Sequence, residues 1–124
     1  MARIIVIEDE EPLRESILTL LSFEGYEASG AADGYSGLAQ IRQQIPDAII
    51  CDLMLPGIDG FEIVKTIHSE PATASVRVIF LSALSDQTVI AQAKDLGVTS
   101  YLIKPVTFDL LLGALQRVLG ADAP

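Results

Sequence analysis

The sequence predicts one doubly wound α/β domain, a parallel sheet covered by helices on both faces. Three observations point there. Short apolar runs rich in Ile and Val alternate with longer stretches of helical periodicity, the connections between them are short, and the apolar runs themselves carry almost no charge. At 124 residues the chain has the length of one domain, and with half its residues hydrophobic it can bury a full core.

In chain order, the runs at Arg3–Ile7, Ala48–Cys51, Val76–Leu81 and Tyr101–Ile103 are expected to be buried strands. Tyr26–Ala31 is more polar and suits a sheet edge. Pro12 fits a first helical turn, and Leu13, Ile17, Leu20 and Leu21 then form an apolar stripe that Gly25 ends. Further helices are expected at Gly34–Ile45, Gly60–Ser69, Asp86–Leu96 and Thr107–Leu119. Gly97 closes the fourth, and Phe108, Leu111, Leu115 and Val118 stripe the fifth. The domain is therefore expected over 1–119, with 120–124 as a small, polar tail or linker stub.

Composition narrows the function. Seventeen acidic against eight basic residues give a net charge of −9, which repels nucleic-acid phosphates but attracts metal cations or a basic partner. The one cysteine, Cys51, lies in an apolar run, cannot form an internal disulfide and reads as a packed core thiol in a reducing, cytoplasmic protein. The first apolar run is too short for a signal peptide or a membrane span, so no membrane association is expected.

In doubly wound folds, ligand sites form beyond the carboxyl ends of the strands. Those ends read Glu8-Asp9 after the first strand, Asp52 after the third, Ser82-Ala83 after the fourth and Lys104-Pro105 after the fifth. If the first and third strands are neighbours, Glu8, Asp9 and Asp52 bring three carboxylates together, and these need neutralising. Lys104 supplies one charge. An all-oxygen site without neighbouring Cys or His ligands suits Mg2+ and a phosphate better than zinc. Each piece also has an ordinary structural explanation, as a helix cap, a solvated first turn or a plain loop; it is their convergence at four strand ends that favours a metal-assisted phosphoryl site.

The chain resembles the receiver domain of bacterial two-component response regulators. The resemblance runs from Arg3 to Leu119 and rests on Glu8-Asp9, on Asp52 within Cys51-Asp52-Leu53-Met54-Leu55-Pro56-Gly57, on Asp59-Gly60, Leu81-Ser82-Ala83, Tyr101 and Lys104-Pro105. It implies a flavodoxin-like, CheY-like fold with five parallel strands in order 2-1-3-4-5 and five helices. It further implies that Asp52 is the phosphoacceptor, that Asp9, Asp52 and the Met54 carbonyl ligate Mg2+, and that Glu8 is an outer acid acting through water. Ser82, Ala83 and Lys104 would contact the phosphoryl group, Ser82 and Tyr101 would form the switch, and Pro56, Gly57, Gly60 and Pro105 would set loop geometry. Similar domains often have a cis Lys104-Pro105 bond, which the sequence permits.

The implied partners are a sensor histidine kinase or phosphotransfer protein upstream, and a protein target or a missing output domain downstream. Relatives also dock or pair through the fourth helix, fifth strand and fifth helix, where Leu110 is a surplus apolar residue. Basic residues for the paired salt bridges of one DNA-binding subfamily are sparse, Lys94 and Arg117 being the main candidates. The resemblance implies a phosphoacceptor and not a turnover enzyme. Glu8 in place of the commoner Asp moves that carboxylate outward by one methylene.

Other readings fit less well. An aspartyl-nucleophile phosphatase needs a general acid where Met54 stands, and an FMN-binding domain would be repelled by Glu8–Glu11. An unphosphorylated interaction module remains the chief alternative. His68 is expected to be solvated. Met54 and Leu84, two residues beyond Asp52 and Ser82, are apolar.

Overall fold

The computed structural model describes residues 2–120. Residues 121–124 of the expected tail lie outside the described residues. Five strands alternate with five helices: β1 (Arg3–Ile7), α1 (Glu11–Phe23), β2 (Glu27–Ala31), α2 (Gly34–Gln43), β3 (Ala48–Asp52), α3 (Gly60–Ser69), β4 (Arg77–Ser82), α4 (Gln87–Asp95), β5 (Ser100–Ile103) and α5 (Phe108–Leu119). The strands pair in parallel in the order β2-β1-β3-β4-β5, so the first and third are neighbours.

Side-chain alternation along the strands divides the core in two. Ile5, Ile7, Ile49, Cys51, Val78 and Phe80 face one side and pack with Leu38 and Ile41 of α2, Ile63, Val64 and Ile67 of α3, and Ala93 of α4. Ile4, Val6, Ile50, Ile79 and Leu81 face the other, against Ile17 and Leu21 of α1 and Leu111, Ala114 and Leu115 of α5. Both faces of the central strands are thus covered, which is why they read as unbroken apolar runs. β2 is an edge, as its polarity suggests, and β5 is the other. β5 is only half-buried, unlike the fully buried strand expected there.

Helix starts follow their caps. The carboxylates of Asp33, Asp59 and Asp86 accept from the N–H groups of Ser36, Glu62 and Thr88, and the Thr107 hydroxyl accepts from that of Leu110. Two expected helix starts, Asp86 and Thr107, are therefore caps that precede the first helical residue. Gly25 and Gly97 follow α1 and α4 with φ of 91° and 89°, a conformation that favours glycine.

Gly60 opens α3 where no side chain fits. A Cβ there would lie 2.9 Å from the Leu53 Cα, 3.1 Å from the Asp52 carbonyl oxygen and 3.1 Å from the Phe80 ring. Two of these neighbours are backbone atoms of the loop that carries Asp52 and cannot swing aside. Gly60→Ala is expected to cost about 1–3 kcal/mol by overpacking. Urea denaturation would measure this, and an unchanged midpoint would show that the loop yields.

Several sequence expectations are revised. Phe108, placed on the apolar stripe of α5, is 46% exposed. It is the first residue of the helix and lines an open groove with Leu20 and Phe23 of α1. His68 is not solvated: it is half-buried, its Nδ1 3.2 Å from the Leu96 carbonyl oxygen and its Nε2 3.1 Å from that of Val76. The ring thereby bridges the ends of α3 and α4 and the start of β4. Cys51 is fully buried, and burial, with the negative charges of Asp52, Glu8 and Asp59, pushes its thiol pKa well up.

Candidate functional site: a carboxylate cluster at the sheet's carboxyl edge

Parallel pairing brings the carboxyl ends of β1, β3, β4 and β5 to one edge. Asp52 is the last residue of β3 and stands in register with Leu81, one residue before Ser82. Ser82 ends β4 opposite Ile103, and the Lys104 N–H donates to the Ser82 carbonyl (2.8 Å). The four groups identified at strand ends are therefore neighbours. The Lys104-Pro105 bond is cis.

Asp52 is buried and both of its oxygens are engaged. Oδ2 accepts from Lys104 Nζ at 2.8 Å, and Oδ1 accepts from the Met54 N–H at 3.0 Å. Lys104 also lies 2.9 Å from Glu8 Oε1. One ammonium thus spans two carboxylates. Burial works against the charged ammonium, but its hydrogen bonds to Asp52 and Glu8 and their negative charge outweigh this and raise its pKa.

The burial order of the two β1 acids was not foreseen. Glu8 is 1% exposed, whereas Asp9 faces solvent. Burial raises the Glu8 pKa and the Asp52 charge adds to the rise, against the lowering by Lys104 and by the Glu10 N–H, which donates to Oε2 at 3.1 Å. Arg14 holds this turn from α1, donating from Nη1 to the Glu8 carbonyl at 2.8 Å. Nothing in the sequence singled Arg14 out, since the contact depends on α1 folding back over the turn.

Carboxylate oxygens of Glu8, Asp9 and Asp52 all lie within 4.8 Å of one another. Three hard oxygen donors so close, with Glu8 Oε1 buried against the single ammonium of Lys104, match what a small divalent cation requires.

On the opposite flank, the Ser82 hydroxyl accepts from the Leu84 N–H (3.0 Å), and the Tyr101 hydroxyl donates to the Leu84 carbonyl (2.8 Å). Leu84 therefore links the two residues expected to form the switch. The Tyr101 ring packs edge-on against Phe80, with ring centres 6.3 Å apart. In the β3–α3 loop, Gly57 has a φ of 81°, which explains glycine there, and it packs under Tyr35.

A family model for the response regulator receiver domain matches residues 4–116. The chain belongs to that family. This receiver domain is 34% identical over 119 residues to the transcriptional regulatory protein AfsQ1 of Streptomyces coelicolor, covering 96% of this chain and 52% of AfsQ1. It spans about half the length of that relative and 26% of the response regulator PleD of Caulobacter vibrioides. Protein PilH of Pseudomonas aeruginosa, by contrast, matches over 98% of its length, at 29% identity and 96% of this chain. The chemotaxis protein CheY4 of Vibrio cholerae superposes with a TM-score of 0.91 at 32% identity, covering 96% of this receiver domain and 99% of CheY4. Among the described residues no helix is long and apolar enough to cross a membrane.

Proposed function

We propose that the receiver domain accepts a phosphoryl group on Asp52 from a phosphohistidine on a kinase or phosphotransfer protein, and that the modified carboxylate switches the face made by α4, β5 and α5. One observation carries the reading: a buried Asp52 carboxylate held by Lys104 and the Met54 N–H, with two further acids within 4.8 Å.

The chemistry follows from these positions. An Asp52 oxygen bonds to phosphorus while the P–N bond of the donor breaks, and the imidazole leaves with a proton. Lys104 is placed to shift from the carboxylate to a phosphoryl oxygen and offset its charge. Ser82 Oγ accepts from Leu84, which leaves its own proton free for a second phosphoryl oxygen, and the Ala83 N–H is a further donor. Asp9, Asp52 and the Met54 carbonyl would hold a Mg2+ ion, with Glu8 as the outer acid, and the ion would supply the remaining positive charge.

Leu84 ties Ser82 to Tyr101, so a shift of Ser82 toward phosphate reaches β5 and α4 through one peptide. The domain acts as a phosphoacceptor with slow self-dephosphorylation, and not as a turnover enzyme. Its output passes to a protein target or to a further domain, as the length of AfsQ1 suggests.

Incubation with acetyl phosphate and Mg2+ is expected to add the mass of one phosphoryl group, and the gain should vanish in Asp52→Asn and in metal-free buffer. No gain with either acetyl phosphate or a phosphoramidate would leave an unphosphorylated interaction module as the better reading.

A further inference from the structure

We propose that the first turn of α2 clamps the β3–α3 loop, and that Tyr35 is a positioning residue there which sets how tightly the carboxylate cluster takes up Mg2+. The inference rests on the metal-assisted phosphoacceptor reading of Asp52 and adds what holds the metal-binding loop in shape.

The loop between β3 and α3 carries the Met54 carbonyl, one of the proposed ligands. Its ends are fixed by hydrogen bonds. The Met54 N–H donates to Asp52 Oδ1 at 3.0 Å, and the Gly60 N–H donates to the Leu53 carbonyl at 2.8 Å. Its middle, 55–58, makes no backbone hydrogen bond among the described residues, so packing holds it. Leu55 and Ile58 lean on the core, and the remaining grip comes from α2.

That grip has two parts. A Cβ on Gly34, the first residue of α2, would lie 2.5 Å from Ile58 Cγ1 and 2.7 Å from the Ile58 carbonyl oxygen. Helix and loop are therefore in direct contact at the backbone. Beside it the Tyr35 ring covers Gly57, where a Cβ would come within 2.9 Å of Cε2 and 3.2 Å of Cδ2. Glycine at 57 thus serves both the turn, with its φ of 81°, and the close approach of the ring.

α2 is anchored in turn to the other half of the cluster. The Asp33 carboxylate caps its start, accepting from the Ser36 N–H at 2.8 Å, and a Cβ on Gly37 would meet Ile7 Cδ1 at 2.5 Å. Ile7 is the last residue of β1 and immediately precedes Glu8 and Asp9. One helix thus touches the end of β1 through Gly37 and the loop after Asp52 through Gly34 and Tyr35. It fixes the spacing between the β1 acids and that loop.

Tyr35 is 65% exposed, too open for a core residue. Its truncation uncovers loop backbone without leaving a cavity. The loop then samples further arrangements, and only a fraction of them turn the Met54 carbonyl toward the acids. Apparent metal affinity falls by that fraction.

The test is the Mg2+ dissociation constant, read from the rise in thermal stability across a Mg2+ titration of the unphosphorylated protein. Alongside it, phosphoryl uptake from acetyl phosphate is timed at limiting and at saturating Mg2+. Tyr35→Ala is expected to weaken Mg2+ binding roughly fivefold, while its metal-free urea midpoint stays close to that of wild type. Tyr35→Phe should bind as wild type does, because the ring and not the hydroxyl covers Gly57. Uptake by Tyr35→Ala should be slow at limiting Mg2+ and recover at saturation, a split that a general loss of structure would not give. Unchanged Mg2+ affinity in Tyr35→Ala overturns the inference. So does a Tyr35→Phe variant as weak as the alanine, or a slowing that persists at saturating Mg2+, which would give Tyr35 a part in the transfer itself. Wild-type protein that binds no Mg2+ refutes the metal reading of the cluster, a failure seen before any variant is compared.

Discussion

Lys104→Ala is expected to lower stability in metal-free buffer by about 2–3 kcal/mol and to slow phosphoryl uptake by roughly a hundredfold. The stability loss comes from what is left behind. Lys104 is the ammonium between Glu8 and Asp52, whose side chains are 1% and 9% exposed, so its removal strands two buried like charges. The figure sits below that for a fully buried pair because Lys104 is itself 19% exposed and partly screened.

Two features separate this effect from simple loss of packing. Mg2+ should restore part of the stability, because a cation among the three acids replaces the missing charge and its binding favours the folded state. The pH dependence should also change. The folded-state pKa of Lys104 is raised above 10.5, so its contribution is fully present below that pH and disappears as pH climbs through the raised value. Wild type should lose stability on that alkaline limb, and the variant should not. Glu8 behaves oppositely at the acid end: its pKa is raised above 4.5, so burying its charge is a cost that falls away as pH drops through the raised value. Urea midpoints measured across pH with and without Mg2+ would check all three. Equal stability of variant and wild type without metal would mean that Lys104 does not neutralise Glu8.

How much of this was legible beforehand depends on the distance over which each feature is determined. β1 and β3 were readable because a strand buried on both faces has no polar positions to spare. The helix starts expected at Gly34, Gly60, Asp86 and Thr107 fall within a residue of those observed, because the caps that set them, Asp33, Asp59, Asp86 and Thr107, are local. The convergence of Glu8, Asp9, Asp52, Ser82 and Lys104 followed from strand ends in a parallel sheet, with the neighbouring of β1 and β3 taken from the family resemblance. What escaped depended on contacts between distant segments. His68 looks like an ordinary polar helix-end residue until α4 and β4 bring two carbonyls to its ring. The burial of Glu8 depends on Lys104, ninety-six positions away in the chain, and on the turn that Arg14 ties down. The link from Ser82 through Leu84 to Tyr101 needs a loop conformation that no spacing rule encodes.

Phe80→Ala is expected to cost about 3–5 kcal/mol, among the largest single losses available to this chain. Phe80 is fully buried at the middle of β4, opposite Cys51 on one side and Tyr101 on the other. Its ring meets Phe61 edge-on at 5.9 Å and Tyr101 at 6.3 Å, so truncation removes the apolar burial and two aromatic contacts together. The neighbours that could fill the space are strands of the same sheet and an α3 already pressed against the Asp52 loop at Gly60, so collapse of the cavity is restricted. Phe80→Leu keeps most of the volume and should lose roughly half as much or less. Thermal denaturation would separate the two, with a fall in Tm of roughly 10–20 °C for the alanine variant. Because the same ring braces Tyr101 and lies against the helix that follows Asp52, Phe80→Leu should also loosen the Tyr101 hydroxyl from Leu84. A leucine variant as destabilised as alanine would instead show that the aromatic edges, and not filled volume, hold this part of the core.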